Sequence, residues 1–148
     1  PTHWLILTGN AEFANQQISE EQKKWITIKS VSADKVPFYL NAGDIALALR
    51  KPTFSMQGVA PIKLGEYLLC GLPVIASKGI GDTEEILKNF EECLLYDHTL
   101  ISQNVEEWVK DISKENRINP MILSEKAKQY FSLEAAAKSY TNVLDQMV

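Results

Sequence analysis

SMQGVAPIKLGEYLLCGLPVIASKGIGD, from Ser55 to Asp82, holds the organising pattern of this chain of 148 residues. Gly58 and Ala60 remove side-chain bulk just before Pro61, whose preset φ suits the first position of a helix. The pattern predicts a helix over residues 61–70, ended by Gly71, the residue type that accepts a left-handed C-cap. Leu72-Pro73 leads into Val74-Ile75-Ala76, a short apolar run of the kind buried on both faces of a parallel sheet. A second glycine-containing loop, residues 77–82, follows.

Two polar residues interrupt the helix. Lys63 falls in its first turn, where the macrodipole disfavours a cation unless an anion sits at the helix N-terminus. Glu66 comes three residues later on about the same face, among Leu64, Leu68 and Leu69. One reading is an intrahelical ion pair on a solvated stripe, worth about 0.2–0.5 kcal/mol. The other is an anion site in which free amides and an ammonium converge. The pattern alone leaves both open.

Working outward, residues 4–7 and 25–28 read as strands, with a turn at Gly9-Asn10 and a helix over 11–24 between them. Residues 29–32 form a loop, and Ser32 is placed to cap a helix over 33–42 that Gly43 ends. Residues 44–49 make a third strand. Downstream, Asp82 and Glu85 have the spacing of a capping box before a helix over 83–90, and residues 93–96 are a fifth short strand. Three helices close the chain, over 102–114, 120–130 and 133–147, with Asn119 and Ser132 as caps of the last two.

Alternating strands and helices with short connections predict an α/β fold: a Rossmann-like, mostly parallel sheet with helices on both faces. Ligands in such folds sit beyond the carboxyl ends of the strands. The candidate loops are therefore Gly9-Asn10, 29–32, 50–60, 77–82 and Asp97-His98. Lys63 and Glu66 open from the third of these.

The totals narrow the class. A net charge of −4 and the lack of a long basic run argue against nucleic acid as a partner. No apolar segment reaches the ~18 residues of a membrane span, and the start carries no charged leader region. Cys70 and Cys93 read as reduced core thiols of a cytoplasmic protein, and His3 and His98 have no metal-ligand spacing. Glu84-Glu85 and Glu106-Glu107 read as helix-face charges, and Tyr67 as core.

PIKLGEYLLCGLPVIAS resembles the donor-site segment of family-4-like glycosyltransferases with the two-domain B-type fold, many of them in bacterial capsule or lipopolysaccharide synthesis. VPFYLNAGDIALAL resembles the helix and strand before that segment, and YFSLEAAAKSYTNVLDQM the closing helices. The resemblance implies one half of a B-type enzyme: residues 1–148 as a single domain binding a nucleotide diphosphate sugar of the UDP or GDP type. The abrupt start implies a preceding acceptor-binding domain, through which alone the protein would reach the inner face of the membrane. The implied reaction is retaining, metal-independent sugar transfer without a cofactor, and the isolated half would bind the donor weakly and transfer nothing.

Carried over residue by residue, the resemblance implies that Glu66 accepts the ribose hydroxyls and that Lys63, with the amides around Val59, Ala60 and Ile62, holds the pyrophosphate. Val31 falls where the nucleobase is held, and Gly9 in the first strand-end loop. Gly79 belongs to a glycine loop that reads equally as a helix-entry turn, and Lys78 as a phosphate-side cation or a solvated side chain. The pattern departs at Gly58, with Gln57 beside it, where the family carries a sugar-contacting glutamate. Neither Arg50 nor Lys51 clearly replaces the family's arginine–lysine pair. Catalytic residues stay unassigned. Two alternatives stay open: a nucleotide-sugar epimerase of the same architecture, and a binding domain that has lost transfer activity.

Overall fold

Five short runs rich in β-branched, aromatic and small apolar residues become strands, and they pair in parallel. The computed structural model describes residues 2–100, 104–114 and 118–147. It divides the chain into two compact units, Pro1–Gly43 and Asp44–Val148.

In the first unit β1 (Trp4–Leu7) pairs with β2 (Ile26–Lys29), with Leu7 opposite Lys29. Asn10 caps α1 (Ala11–Gln16) by accepting the Phe13 N–H. The helix expected over 11–24 stops there, and a separate 3-10 turn covers Gln22–Lys24. The segment beyond α1 is too polar to pack, and Ser19 and Gln22 instead exchange side-chain bonds with each other's amides. The helix expected over 33–42 shortens likewise to a 3-10 turn, Ala33–Lys35, and α2 (Val36–Leu40), and Ser32 makes no side-chain cap bond. None of the described residues of this unit is buried.

The second unit has its own parallel sheet, in the order β3 (Ala46–Ala48), β4 (Val74–Ser77), β5 (Leu94–Tyr96). The five strands thus form two sheets, of two and three strands, where the sequence pattern predicts one. Ala46 lies opposite Val74, and Ile75 opposite Leu94. All four β4 residues are buried, so both faces of the central strand are covered.

The connection from β3 to β4 carries a 3-10 turn, Phe54–Gly58, and α3 (Ile62–Leu69). Pro61 is the N-cap of α3 rather than its first residue. Gly71 ends the turn beyond α3 with φ +74°, as expected of a left-handed C-cap. A Cβ there would lie 2.5 Å from the Pro120 carbonyl oxygen. That close approach seats α3 against α6 (Pro120–Phe131), where the Phe131 ring covers Gly65 and the Ser124 hydroxyl donates to Leu69 O at 2.7 Å. Leu64, Leu68, Val74, Phe90, Leu123 and Ala127 form the fully buried centre.

From β4 to β5 runs α4 (Thr83–Leu87), shorter than the expected 83–90. Asp82 holds the N-cap position but makes no side-chain cap bond, and Glu85 pairs with Lys88, so no capping box forms. Asn104 caps α5 (Val105–Ile112) through the Glu107 N–H; the expected start at Ser102 lies outside the described residues. Asn119 and Ser132 cap α6 and α7 (Leu133–Asp145) as their residue types predict.

Candidate functional site

Three of the strand-end loops meet at the carboxyl edge of the three-stranded sheet. Ser77 ends the central strand and is fully buried, with its Oγ 2.8 Å from the Arg50 amide and 2.8 Å from His98 Nε2. Arg50 opens the loop after β3, and His98 lies just past β5. One hydroxyl therefore touches both neighbouring loops. The His98 ring stands edge-on to Tyr96, with centroids 4.9 Å apart.

The glycine loop after β4 closes on the segment that opens α3. Gly81 has φ +43°, and a Cβ there would lie 2.0 Å from the Val59 carbonyl oxygen. Its amide donates to Met56 O at 2.9 Å. Only a residue without a side chain allows this backbone-on-backbone contact. Gly79 lies against Pro52. The helix-entry turn and the loop packed on the α3 entry are thus one structure, since Thr83 N–H then donates to Ile80 O to begin α4.

Lys63 in the first turn and Glu66 near the middle of α3 project opposite the buried Leu64 and Leu68. Lys63 Nζ lies 2.7 Å from Glu66 Oε2, with the side chains 59% and 40% exposed. This is the intrahelical pair that the spacing allows. Tyr67 beside them is half-buried; burial first, and the Glu66 charge after it, push its hydroxyl up, against the lowering effect of Lys63.

The amides offered to a pyrophosphate are partly engaged. Val59 N–H donates to Met56 O at 3.3 Å and Ile62 N–H to Ala60 O at 2.9 Å, which corrects the expectation of free amides at both positions. Gln57, Gly58 and Ala60 are exposed, and a Cβ on Gly58 would meet nothing within 4 Å. Lys78 Nζ sits 3.4 Å from Asp97 Oδ2 and 3.8 Å from Glu84 Oε1, so it is a rim cation held between two carboxylates. Bonds from the Thr99 hydroxyl and amide, more than Lys78, hold the Asp97 carboxyl below its usual range.

Gly9 and Val31 belong to the first unit. They follow the paired ends of β1 and β2, where Thr8 N–H donates to Lys29 O at 3.0 Å. An open groove on α5, lined by Asn104, Glu107, Trp108, Lys110, Asp111 and Lys114, includes none of these residues, and its lysines pair with Glu106 and Asp111 on the same helix. Among the described residues no group of three His, Cys, Asp or Glu side chains is placed to hold a metal ion. None of the described helices is long and apolar enough to cross a membrane.

Ser77 and His98 lie in two of the candidate strand-end loops, but the sequence singled out neither as a site residue. A serine closing an otherwise apolar buried strand was the available signal, because a buried hydroxyl needs partners.

The fold defines an α/β protein with short parallel sheets, and in its second unit the strand-end loops gather at the carboxyl edge of the three-stranded sheet. No protein-family model, no curated protein and no solved structure matches the chain.

Proposed function

We propose that this chain binds the nucleotide diphosphate sugar donor of a retaining, metal-independent glycosyltransferase, with Lys63 directed at the diphosphate and Glu66 at the ribose. The observation that carries the reading is the packing of the glycine loop at Gly81 onto Val59 at the entry of α3, beyond the carboxyl ends of adjacent parallel strands, with Lys63 and Glu66 displayed on that helix. The sequence resemblance supplies the ligand class.

The Lys63–Glu66 pair does not oppose this reading. Exposed pairs of this kind contribute about 0.3–0.5 kcal/mol, whereas a hydrogen bond to a charged phosphate or carboxylate contributes about 1.5–3 kcal/mol. A donor that offers phosphate to the lysine and a diol to the glutamate would replace one weak contact by two stronger ones. Negative charge on the leaving diphosphate grows during transfer, so the same lysine would favour the transition state over the ground state.

Calorimetric titration with UDP, GDP and inorganic phosphate tests the reading. Nucleotide binding is expected, and Glu66→Ala is expected to weaken it by about 1–3 kcal/mol. No binding at millimolar nucleotide, or an unchanged dissociation constant in a folded Glu66→Ala variant, rejects the assignment.

Gly58 favours a second reading, a nucleotide-sugar-binding domain without transfer activity, since no carboxylate stands where the resemblance expects one. Protein that binds the donor without hydrolysing or transferring it would support this reading. The open space around Gly58 lets Gly58→Glu restore the carboxylate as a complementary test.

A further inference from the structure

We propose that His98, far along the chain from the Lys63–Glu66 helix, is a positioning residue for the donor loop over residues 50–60 and acts on it through Ser77; this rests on the donor-site reading above.

Ser77 has one hydroxyl proton and two lone pairs, and its side chain is wholly shielded from water. The Arg50 N–H donates to one lone pair at 2.8 Å. The hydroxyl proton then goes to His98 Nε2, also at 2.8 Å, which leaves the imidazole proton on Nδ1. No other arrangement of these three groups satisfies the hydroxyl as both donor and acceptor. His98 is exposed, and two local features orient it. Its ring rests edge-on against Tyr96, and the preceding Asp97 accepts the Thr99 N–H at 2.9 Å and the Thr99 hydroxyl at 2.6 Å.

The loop that begins at Arg50 is therefore pinned at two points. At its start the pin is Ser77 backed by His98; near its end it is the Gly81 amide on Met56 O, beside the Val59 contact. Lys63 and Glu66 follow directly from the second pin. Without His98 the buried hydroxyl loses the acceptor for its proton. Turning that proton elsewhere redirects the lone pair that holds the Arg50 amide, and the first pin loosens.

Amide hydrogen exchange on the full chain, read by nuclear magnetic resonance, tests this together with UDP and GDP titration. In His98→Ala the Arg50 amide is expected to exchange about tenfold faster, in line with the loss of one hydrogen bond. The Gly81 amide should follow to a smaller extent. The Val74 amide, bonded to Cys93 Sγ at the opposite end of the sheet, should not change. Nucleotide affinity should fall severalfold. His98→Gln, whose carboxamide oxygen can accept the Ser77 proton, should restore both protection and affinity.

Unchanged Arg50 exchange in His98→Ala overturns the proposal, as does uniform acceleration of all three amides, which would mark general destabilisation. Faster Arg50 exchange with unchanged nucleotide affinity overturns the positioning role. If the wild-type chain binds neither nucleotide, the donor reading fails and the role of His98 in it fails too, while the exchange data still decide whether the tie exists.

Discussion

β1 and β4 are both four-residue apolar strands in parallel pairs, yet their surroundings differ. Trp4, Leu5 and Ile6 of β1 remain 43%, 38% and 37% exposed, whereas Val74, Ile75, Ala76 and Ser77 of β4 are all buried. β4 lies between two partners and has α3 packed against it; β1 has β2 alone in its sheet. Apolar composition and β-propensity form a strand in each case, but burial depends on what the rest of the chain places above and below it. The stability of the second unit should accordingly reside in side chains, and that of the first much less so.

The widest test of this contrast is a pair of truncations read by urea denaturation. Leu68→Ala removes a side chain with no exposure, from the contact between α3 and the sheet, and should destabilise by about 2–5 kcal/mol. Leu5→Ala, in an exposed strand, should cost less than about 1 kcal/mol. Equal losses would break the comparison.

Within the second unit the rim can be separated from open surface by its glycines. Gly81→Ala adds a Cβ onto the Val59 carbonyl at positive φ and should destabilise by about 2–4 kcal/mol, beyond the usual effect of a point substitution. Gly58→Ala, in open space, should stay within about 0.5 kcal/mol of wild type. A mild Gly81→Ala would mean that the glycine loop does not hold the α3 entry.

The smallest expected effect is the alkaline dependence of the buried unit. Burial pushes the Cys93 thiol from 9.0 up to about 11, with the Val74 amide bond and Lys126 acting against the rise and Glu92 adding to it. A group raised in the folded state binds its proton more tightly there than in the unfolded chain. Its contribution is therefore whole below pH 9 and is lost as pH rises toward 11. Stability should fall by roughly 2 kcal/mol over that window, relative to Cys93→Ala measured in parallel. Identical slopes for the two proteins would show that the thiol is not shielded as the structure has it.

Much of the fold could be read from local rules. Gly71 stops its helix, Asn119 and Ser132 cap theirs, and Val74-Ile75-Ala76 is a strand, because each of these features is decided within a few residues. The helices expected over 11–24 and 33–42 each became a short helix and a 3-10 turn, since helices in a unit with no buried residue among those described gain little stability from packing. The Asp82–Glu85 box failed because Glu85 found Lys88 instead.

The candidate site divides the same way. Sequence alone determined that Lys63 and Glu66 share a face of a helix opening from a strand-end loop, because helical periodicity fixes which side chains are neighbours. Tertiary structure alone decided that Gly81 lies against Val59 and that Ser77 joins Arg50 to His98. Those contacts depend on how parallel strands align their ends, and a parallel sheet brings together residues that the chain keeps far apart.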